Sequence, residues 1–256
     1  MKMNDLYQCY LIFSIIFTAS DVAKDMNYAV DNCTCSIGLE NCKCFELLTE
    51  KEMDLVSKNQ IEVNFRKGET ICKQGTFASH VMFLKEGLAK AYMEGENNSL
   101  ILNIIPANNF IGLTSLYDGN PLLQYSARAY VDSLVRLIDI KIFKEITENN
   151  PKFSNEIIKI LSASAALTYG RFFCITNKQS YGRLADVLLC LSTRVFKDQK
   201  FDLSLTRKEI AELACLSTEN VIKILKKFKD DNLIEIQGKT FTIKNQELLE
   251  KISECG

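Results

Sequence analysis

The sequence lacks the residue patterns on which most enzymes depend. It contains one histidine, His80, and no residue near it in the sequence could complete a catalytic triad or a metal site with it. It also has no glycine-rich nucleotide loop and no paired carboxylates of the acid–base type. We therefore expect a protein that is not an enzyme.

Neither sign of charge is in excess, because the formal net charge is -1 at pH 7. This balance excludes a strongly basic protein, but nucleic-acid binding needs only a local basic surface. The chain of 256 residues is 47% hydrophobic and 25% charged, which allows two modest globular domains with apolar cores.

Cysteine is abundant, with ten residues, but it is not spaced as an even disulfide framework. Four cysteines crowd into one short segment, namely Cys33, Cys35, Cys42 and Cys44. Such crowding favours metal ligation or redox chemistry over structural bridges.

Period-two hydrophobicity dominates the next part of the chain. Residues 45 to 60 are first predicted to form a short amphipathic helix, with Thr49 and Glu52 placed as a capping pair. From residue 61 to about residue 142, apolar and polar residues alternate between glycine turns, with a buried-looking strand at residues 134–140. Many short strands at this spacing indicate an antiparallel sandwich or barrel.

The pattern becomes helical after Pro151. Apolar residues recur at helical spacing from residue 157 to residue 167, and the helix extends towards Cys174. This apolar stripe could pack on the protein's own β-domain or form a coiled-coil-like seam between two copies of the chain. We favour the second alternative, and we predict another helix over residues 180 to 196.

Two short helices separated by a tight turn follow within residues 205 to 228. Thr206 and Glu209 form a capping box that starts the first helix, and Ser217 can cap the second after a break at residues 215–216. The second helix has four apolar residues on one face, namely Val221, Ile224, Leu225 and Phe228. Helices joined this tightly cross steeply, which is typical of a helix-turn-helix.

With those apolar residues turned inward, the start of the second helix is predicted to enter a major groove of DNA. Glu219 could accept a hydrogen bond from a cytosine amino group, and Lys223 could donate to guanine or to phosphate. Residues 203 to 229 contain six lysines and arginines against three glutamates, which suits a surface that binds phosphates. The predicted DNA contacts are Thr206, Arg207, Ser217, Thr218, Glu219, Ile222, Lys223, Lys226, Lys227 and Lys239. The alternative is an amphipathic helical hairpin with a solvated lysine face.

A two-residue β-hairpin is predicted directly after these helices. Residues 233–236 and 239–243 form its strands, and Gln237 with Gly238 forms its turn. The hairpin is the expected wing of a winged helix-turn-helix, so it favours DNA binding over a plain helical hairpin.

These features resemble the CRP/FNR superfamily of bacterial transcription regulators. The resemblance covers nearly all of the chain from Cys33 onward and is most specific in residues 205–228, 236–243 and 110–113. It implies an α+β fold with a cyclic-nucleotide-binding-type β-roll, a long dimerisation helix and a C-terminal winged helix-turn-helix. It also implies a cytoplasmic homodimer, not attached to a membrane, that binds a palindromic promoter site and has RNA polymerase as its partner.

The resemblance divides the chain into an N-terminal extension (1–44), a β-roll sensor domain (45–150), a dimerisation helix (151–178) and a DNA-binding domain (179–256). It places Glu219 and Lys223 where members of the family contact bases. Thr218 stands where the cyclic-AMP branch has arginine, so we expect a different site sequence.

The family's cyclic-nucleotide site has a Gly-Glu-Leu segment and an Arg-Ser pair that hold the phosphate. Here Gly112 is followed by Leu113 and Thr114, and Tyr125-Ser126 replaces the Arg-Ser pair. A buried phosphate needs a guanidinium partner. We therefore expect that the protein does not bind cyclic AMP.

The FNR branch of the family holds a [4Fe–4S] cluster with cysteines just before the β-domain. By resemblance, the ligands here are Cys33, Cys35, Cys42 and Cys44. The first pair is more closely spaced than in that branch, and the branch's distant fourth cysteine falls on Arg136. A zinc site, a thiol redox pair and a purely structural cluster are alternatives. We expect a redox- or oxygen-responsive regulator, and the alternative is a regulator with a small-molecule ligand in its β-roll and no metal cluster.

The N-terminus leaves three possibilities open. Residues 11 to 19 are apolar but too short to span a bilayer, which takes roughly 20 apolar residues. They could belong to a signal peptide, although only Lys2 supplies the positive charge before them. We favour translation from Met26, which leaves residues 1–25 untranslated, because a DNA-binding protein must stay in the cytoplasm.

Overall fold

The computed structural model describes residues 42–96, 99–116, 119, 121–203 and 205–255. The predictions for residues 1–41, including those for Cys33 and Cys35, lie outside the described residues. The described strands are β1 Gln60–Phe65, β2 Thr70–Cys72, β3 His80–Glu86, β4 Leu88–Glu94, β5 Ser99–Pro106, β6 Asn109–Ile111, β7 Ser126–Ala129, β8 Ser133–Asp139, β9 Lys200–Asp202, β10 Ile234–Gln237 and β11 Thr240–Ile243. The described α-helices are α1 Glu50–Lys58, α2 Ile140–Asn149, α3 Pro151–Asn177, α4 Ser180–Cys190, α5 Arg207–Ala214, α6 Thr218–Asp230 and α7 Gln246–Cys255.

Two four-stranded antiparallel sheets form the β-domain, with strand orders β1-β8-β3-β6 and β2-β7-β4-β5. The capping box of Thr49 and Glu52 starts α1 in front of them, as the sequence predicts. Burial is continuous over residues 81–84 of β3 and 88–92 of β4, and side chains from both sheets meet in one apolar cluster between them.

The predicted strand at residues 134–140 is wrong at its C-terminal end. Strand β8 ends at Asp139, and the Asp139 carboxylate accepts hydrogen bonds from the amides of Lys141 (2.8 Å) and Ile142 (3.3 Å). This N-cap starts α2, a helix that period-two reasoning missed.

The long helix α3 begins at an N-cap and a proline. The Asn150 side chain accepts hydrogen bonds from the amides of Lys152 and Phe153, and Pro151 occupies the first helical position. Phe153 and Ile157 are buried against the β-domain, where the Phe153 ring lies 5.4 Å from that of Phe143. The first turns of α3 thus pack on the protein's own β-domain, whereas the sequence pattern favoured a seam between two copies along the whole stripe.

The C-terminal domain contains α4 to α7 and the three-stranded sheet β10-β11-β9. The helix predicted over residues 180–196 is α-helical only to Cys190 and continues as a π-helical turn, Leu191–Val195. Sequence reasoning missed β9, whose Phe201 ring stacks between those of Phe196 (5.0 Å) and Phe241 (6.1 Å). This aromatic stack fixes the wing sheet to the helices.

Candidate nucleic-acid interface

Side-chain caps define both helices of the helix-turn-helix. The Glu209 amide donates to Thr206 Oγ1 (3.2 Å), and the Thr206 amide donates to Glu209 Oε2 (2.7 Å). Ser217 Oγ accepts a hydrogen bond from the Asn220 amide (3.2 Å) at the start of α6. The starts predicted for α5 and α6 are therefore confirmed.

Two arginines from outside the motif hold the turn between α5 and α6. Cys215 adopts a left-handed conformation, with φ of 50°. The Arg183 guanidinium donates to the Cys215 carbonyl (3.1 Å), and the buried Arg171 donates to the Leu213 carbonyl. Neither arginine was singled out in the sequence, because no local pattern relates them to a turn more than thirty residues away.

Helix α6 presents its polar residues on the face opposite its buried residues. Val221, Ile224, Leu225 and Phe228 are all buried, as predicted. Thr218 is half-buried, and the exposed residues on α6 include Glu219, Ile222, Lys223, Lys226 and Lys227. The residues assigned to base and phosphate contacts thus share an accessible surface near the start and middle of α6.

The charged groups on this surface differ in their local partners. Hydrogen bonds from its own backbone amide and from Ser217 lower the pKa of Glu219, so its carboxylate stays ionised. Lys227 pairs with Asp231 at 2.9 Å, which raises the pKa of the Lys227 ammonium. The charge on Lys227 is therefore partly neutralised within the protein.

Arg207 is less available than the lysines. Its guanidinium lies over the Phe241 ring, 5.1 Å from the ring centroid, and burial lowers the pKa of Arg207. Arg207 thus ties α5 to the wing sheet, while Thr206 and Ser217 are exposed at the two helix starts.

The wing is present, but its turn lies one residue later than predicted. Gln237 pairs with Thr240 across the hairpin, which leaves Gly238 and Lys239 as the turn residues. Gly238 has a φ of 61°, a conformation that favours glycine. Lys239 is consequently exposed at the tip of the wing.

In the β-domain, a tyrosine hydroxyl satisfies a backbone amide of the segment that corresponds to the family's phosphate site. The Gly112 amide donates to Tyr125 Oη at 2.9 Å. Burial of this hydroxyl raises the pKa of Tyr125 to about 12, so the group is neutral. Tyr125, which stands where the family has arginine, is therefore uncharged. Its hydroxyl oxygen already accepts a hydrogen bond from the Gly112 amide.

The two cysteines of the N-terminal segment that the structure describes, Cys42 and Cys44, are joined by a disulfide. Cys44 is fully buried, and the Cys42 amide donates to the Asn108 carbonyl at 2.8 Å. Arg136 lies over the neighbouring Phe45 ring, 5.4 Å from its centroid. Within the described ranges, no group of three or more histidine, cysteine or acidic side chains is placed to hold a metal ion.

Two family models match this chain. The Crp-like helix-turn-helix domain matches residues 182–252, and the cyclic nucleotide-binding domain matches residues 62–150. The fumarate and nitrate reduction regulatory protein of Yersinia pestis is 26% identical over 235 residues, which cover 88% of this chain and 91% of that protein.

Solved structures share the fold. FixK2 from Bradyrhizobium japonicum superposes with a TM-score of 0.69 at 17% identity, over 75% of this chain and 96% of that one. A transcriptional regulator of the CRP/FNR family from Eubacterium rectale gives a TM-score of 0.66 at 18% identity, over 83% and 98% of the two chains. The β-roll and the C-terminal helix-turn-helix are thus common to this chain and to these neighbours.

Proposed function

We propose that this chain, which belongs to the CRP/FNR family of DNA-binding transcription regulators, acts as a cytoplasmic homodimer that responds to redox state or oxygen. In this proposal the dimer binds a palindromic promoter site and acts on transcription through RNA polymerase. In this proposal the N-terminal cysteines detect the change in redox state or oxygen.

The exposed face of α6 supports our proposal for the residues that read DNA. Glu219 and Lys223 lie four residues apart, which places them on one side of the helix, and both are exposed. The ionised Glu219 can accept from a cytosine amino group, and Lys223 can donate to guanine. Lys226, Lys227 and the wing residue Lys239 lie around them as phosphate contacts.

An apolar surface on α3 supports the homodimer. Tyr169 is 73% exposed and Phe172 is 68% exposed, although aromatic side chains usually lie inside. By length and composition α3 could also cross a membrane, but Phe153 and Ile157 anchor its first turns in the β-domain. A second copy of the chain is therefore the favoured occupant of this surface.

Thiol chemistry supports the redox response. Reduction of the Cys42–Cys44 disulfide would give two thiols, and thiolates suit both iron–sulfur clusters and zinc. Together with Cys33 and Cys35 they would form the donor set of a [4Fe–4S] cluster. With Arg136 in place of a distant cysteine, this set would come from the N-terminal segment alone. The neutral Tyr125 beside Gly112 argues against a cyclic-nucleotide phosphate as the signal.

Purification without oxygen tests the redox proposal. A brown protein that contains iron and sulfide, and whose affinity for selected DNA falls on exposure to air, is the expected result. A colourless protein whose DNA affinity changes only with thiol oxidation would indicate the thiol pair instead. A colourless protein with the same DNA affinity in both conditions would favour the alternative, a small-molecule ligand in the β-roll. Absence of salt-sensitive DNA binding in every condition would contradict the DNA-reading assignment.

A further inference from the structure

A partly buried ion pair, with its lysine inside the protein, joins the β-domain to the helix-turn-helix. Lys90 on β4 lies 2.7 Å from Glu212 on α5, measured from Nζ to Oε2. The side chains are only 9% and 27% exposed, respectively. The residues are 122 positions apart in sequence, so the pair forms only when the two domains are placed as they are here.

Aromatic rings enclose the ammonium of this pair. Lys90 Nζ lies 5.4 Å from the ring centroids of both Tyr92 and Tyr130. The Tyr130 side chain is itself buried. If the ammonium moved away from Glu212, it would therefore also lose its two ring contacts.

Arg171 on α3 adds a second contact to the same junction. Its guanidinium donates to the Ile101 carbonyl on β5 (3.4 Å) and to the Leu213 carbonyl at the end of α5. Strands β4 and β5, the long helix and α5 thus meet through directional polar contacts inside an apolar core.

This arrangement favours a role in orientation over a role in stability. A buried ion pair contributes little net stability, because desolvation offsets most of the attraction between the charges. Apolar side chains could fill the same space, but apolar contacts tolerate sliding. Displacement of α5 would leave Lys90 buried without its partner, so the pair penalises other positions of the helix-turn-helix.

We propose that Lys90 and Glu212 are positioning residues that fix the direction of the recognition helix α6 relative to the β-domain. Helix α5 carries this constraint to α6 through the turn at Cys215. In a homodimer, the direction of α6 sets the distance between the two recognition helices, and so the preferred spacing of DNA half-sites. This inference rests on the homodimer proposed above.

The test compares Lys90→Met with Lys85→Met as a matched control. Lys85 also lies 2.7 Å from a glutamate, Glu62, but both residues of that pair belong to the β-domain and are more exposed. Half-sites selected with the wild-type protein are placed at their optimal spacing and with one or two base pairs inserted. Affinity is then measured for each DNA.

Wild-type protein and Lys85→Met should lose about tenfold in affinity when one base pair is inserted, because the second recognition helix no longer meets its groove. Lys90→Met should bind the optimal site more weakly and discriminate between spacings by less than about threefold. A global loss of stability would not reduce spacing preference. If Lys90→Met retains the wild-type preference, the proposal is wrong.

A double variant and amide exchange cover the two cases in which this comparison cannot be made. If Lys90→Met does not fold, the double variant Lys90→Met/Glu212→Gln takes its place in the comparison. The double variant leaves no unpaired charge, because it removes both charges of the pair. If the wild-type protein shows no spacing preference, the homodimer proposal fails, and amide exchange of residues 207–214 decides on the positioning role. Faster exchange in Lys90→Met than in Lys85→Met supports that role, and equal exchange contradicts it.

Discussion

Lys223 and Lys226 are both exposed on α6, and we propose different DNA contacts for them. Lys223 shares a face with Glu219 in the first half of the helix, whereas Lys226 lies closer to its C-terminal half. In a helix-turn-helix the N-terminal part of the second helix contacts base edges, and later residues contact the backbone.

We expect Lys223→Ala to weaken binding to the selected site by about 1–3 kcal/mol and to relax its sequence preference. Lys226→Ala should weaken binding to selected and random DNA equally and lower the salt dependence by about one phosphate contact. Affinity measured on both DNAs across salt concentrations distinguishes the two. Equal losses on selected and random DNA for Lys223→Ala would contradict its role in base recognition.

Lys227→Ala serves as the comparison for Lys226→Ala. Because Lys227 already pairs with Asp231, its removal should reduce affinity less. A larger loss for Lys227→Ala would show that DNA displaces Asp231.

Cys72 should make the fold sensitive to alkaline pH. Its thiol is buried, and burial raises its pKa from 9.0 to about 11. A group with a raised pKa in the folded state contributes full stability below its unfolded pKa and loses that contribution as pH rises through the folded value. The loss between about pH 9 and pH 11 should amount to roughly 3 kcal/mol.

Urea unfolding at a series of pH values measures this effect. The difference in free energy of unfolding between wild type and Cys72→Ala should shrink between about pH 9 and pH 11. A difference that stays constant over this interval would exclude titration of Cys72 as its cause.

At the scale of elements, α3 has two different environments along one helix. Its first turns are buried against the β-domain, and its last turns expose Tyr169, Phe172 and Phe173. The sequence pattern showed an apolar stripe but could not divide it, because helical spacing is the same whichever surface covers the stripe.

Phe172→Glu should convert the proposed homodimer into a monomer, because it would place a charge in the proposed apolar seam. Sedimentation velocity measures the change, and DNA affinity should fall together with dimerisation. Lys152→Glu, a charge change at an exposed position near the start of the same helix, is the control. If Phe172→Glu leaves the sedimentation coefficient unchanged, this end of α3 does not form the seam.

Local sequence signals predicted the starts of three helices, whereas the ends of one strand and one helix were missed. Thr49, Thr206 and Ser217 cap helices where predicted, because the hydrogen bonds of a cap involve residues within three positions. The end of β8 at Asp139 and the end of α4 at Cys190 were not predicted. In both cases the chain continues into another helical segment, so no turn residue marks the change.

At the scale of the whole molecule, one of the three apolar clusters among the described residues spans both domains. Leu88, Ile101 and Ile104 of the β-domain belong to the same cluster as Leu213 and Ile224 of the helix-turn-helix. Loss of either domain would expose part of this cluster to water.

We therefore expect one cooperative unfolding transition for the described domains. Scanning calorimetry should give equal calorimetric and van't Hoff enthalpies for a preparation of fixed concentration and redox state. Two separate transitions, with the helix-turn-helix unfolding alone, would show that the shared core contributes little.

The sequence by itself determined the elements whose physics is local. Residues close together in the chain predicted the short strands of the β-domain, the capping box at Thr206 and the buried face of α6. The base-reading assignment of Glu219 and Lys223 depended on that same buried face. The missing arginine at Tyr125 was also visible without a structure.

Only the tertiary structure brought distant residues together. Segments far apart in sequence are joined by the Lys90–Glu212 pair and by the pairing of β9 with β11. They are also joined by the hydrogen bonds of Arg171 and Arg183 to the turn at Cys215. No period or local motif encodes such contacts, because they depend on how two packed domains meet. The sequence therefore predicted which surface reads DNA, and the fold decided what holds that surface in place.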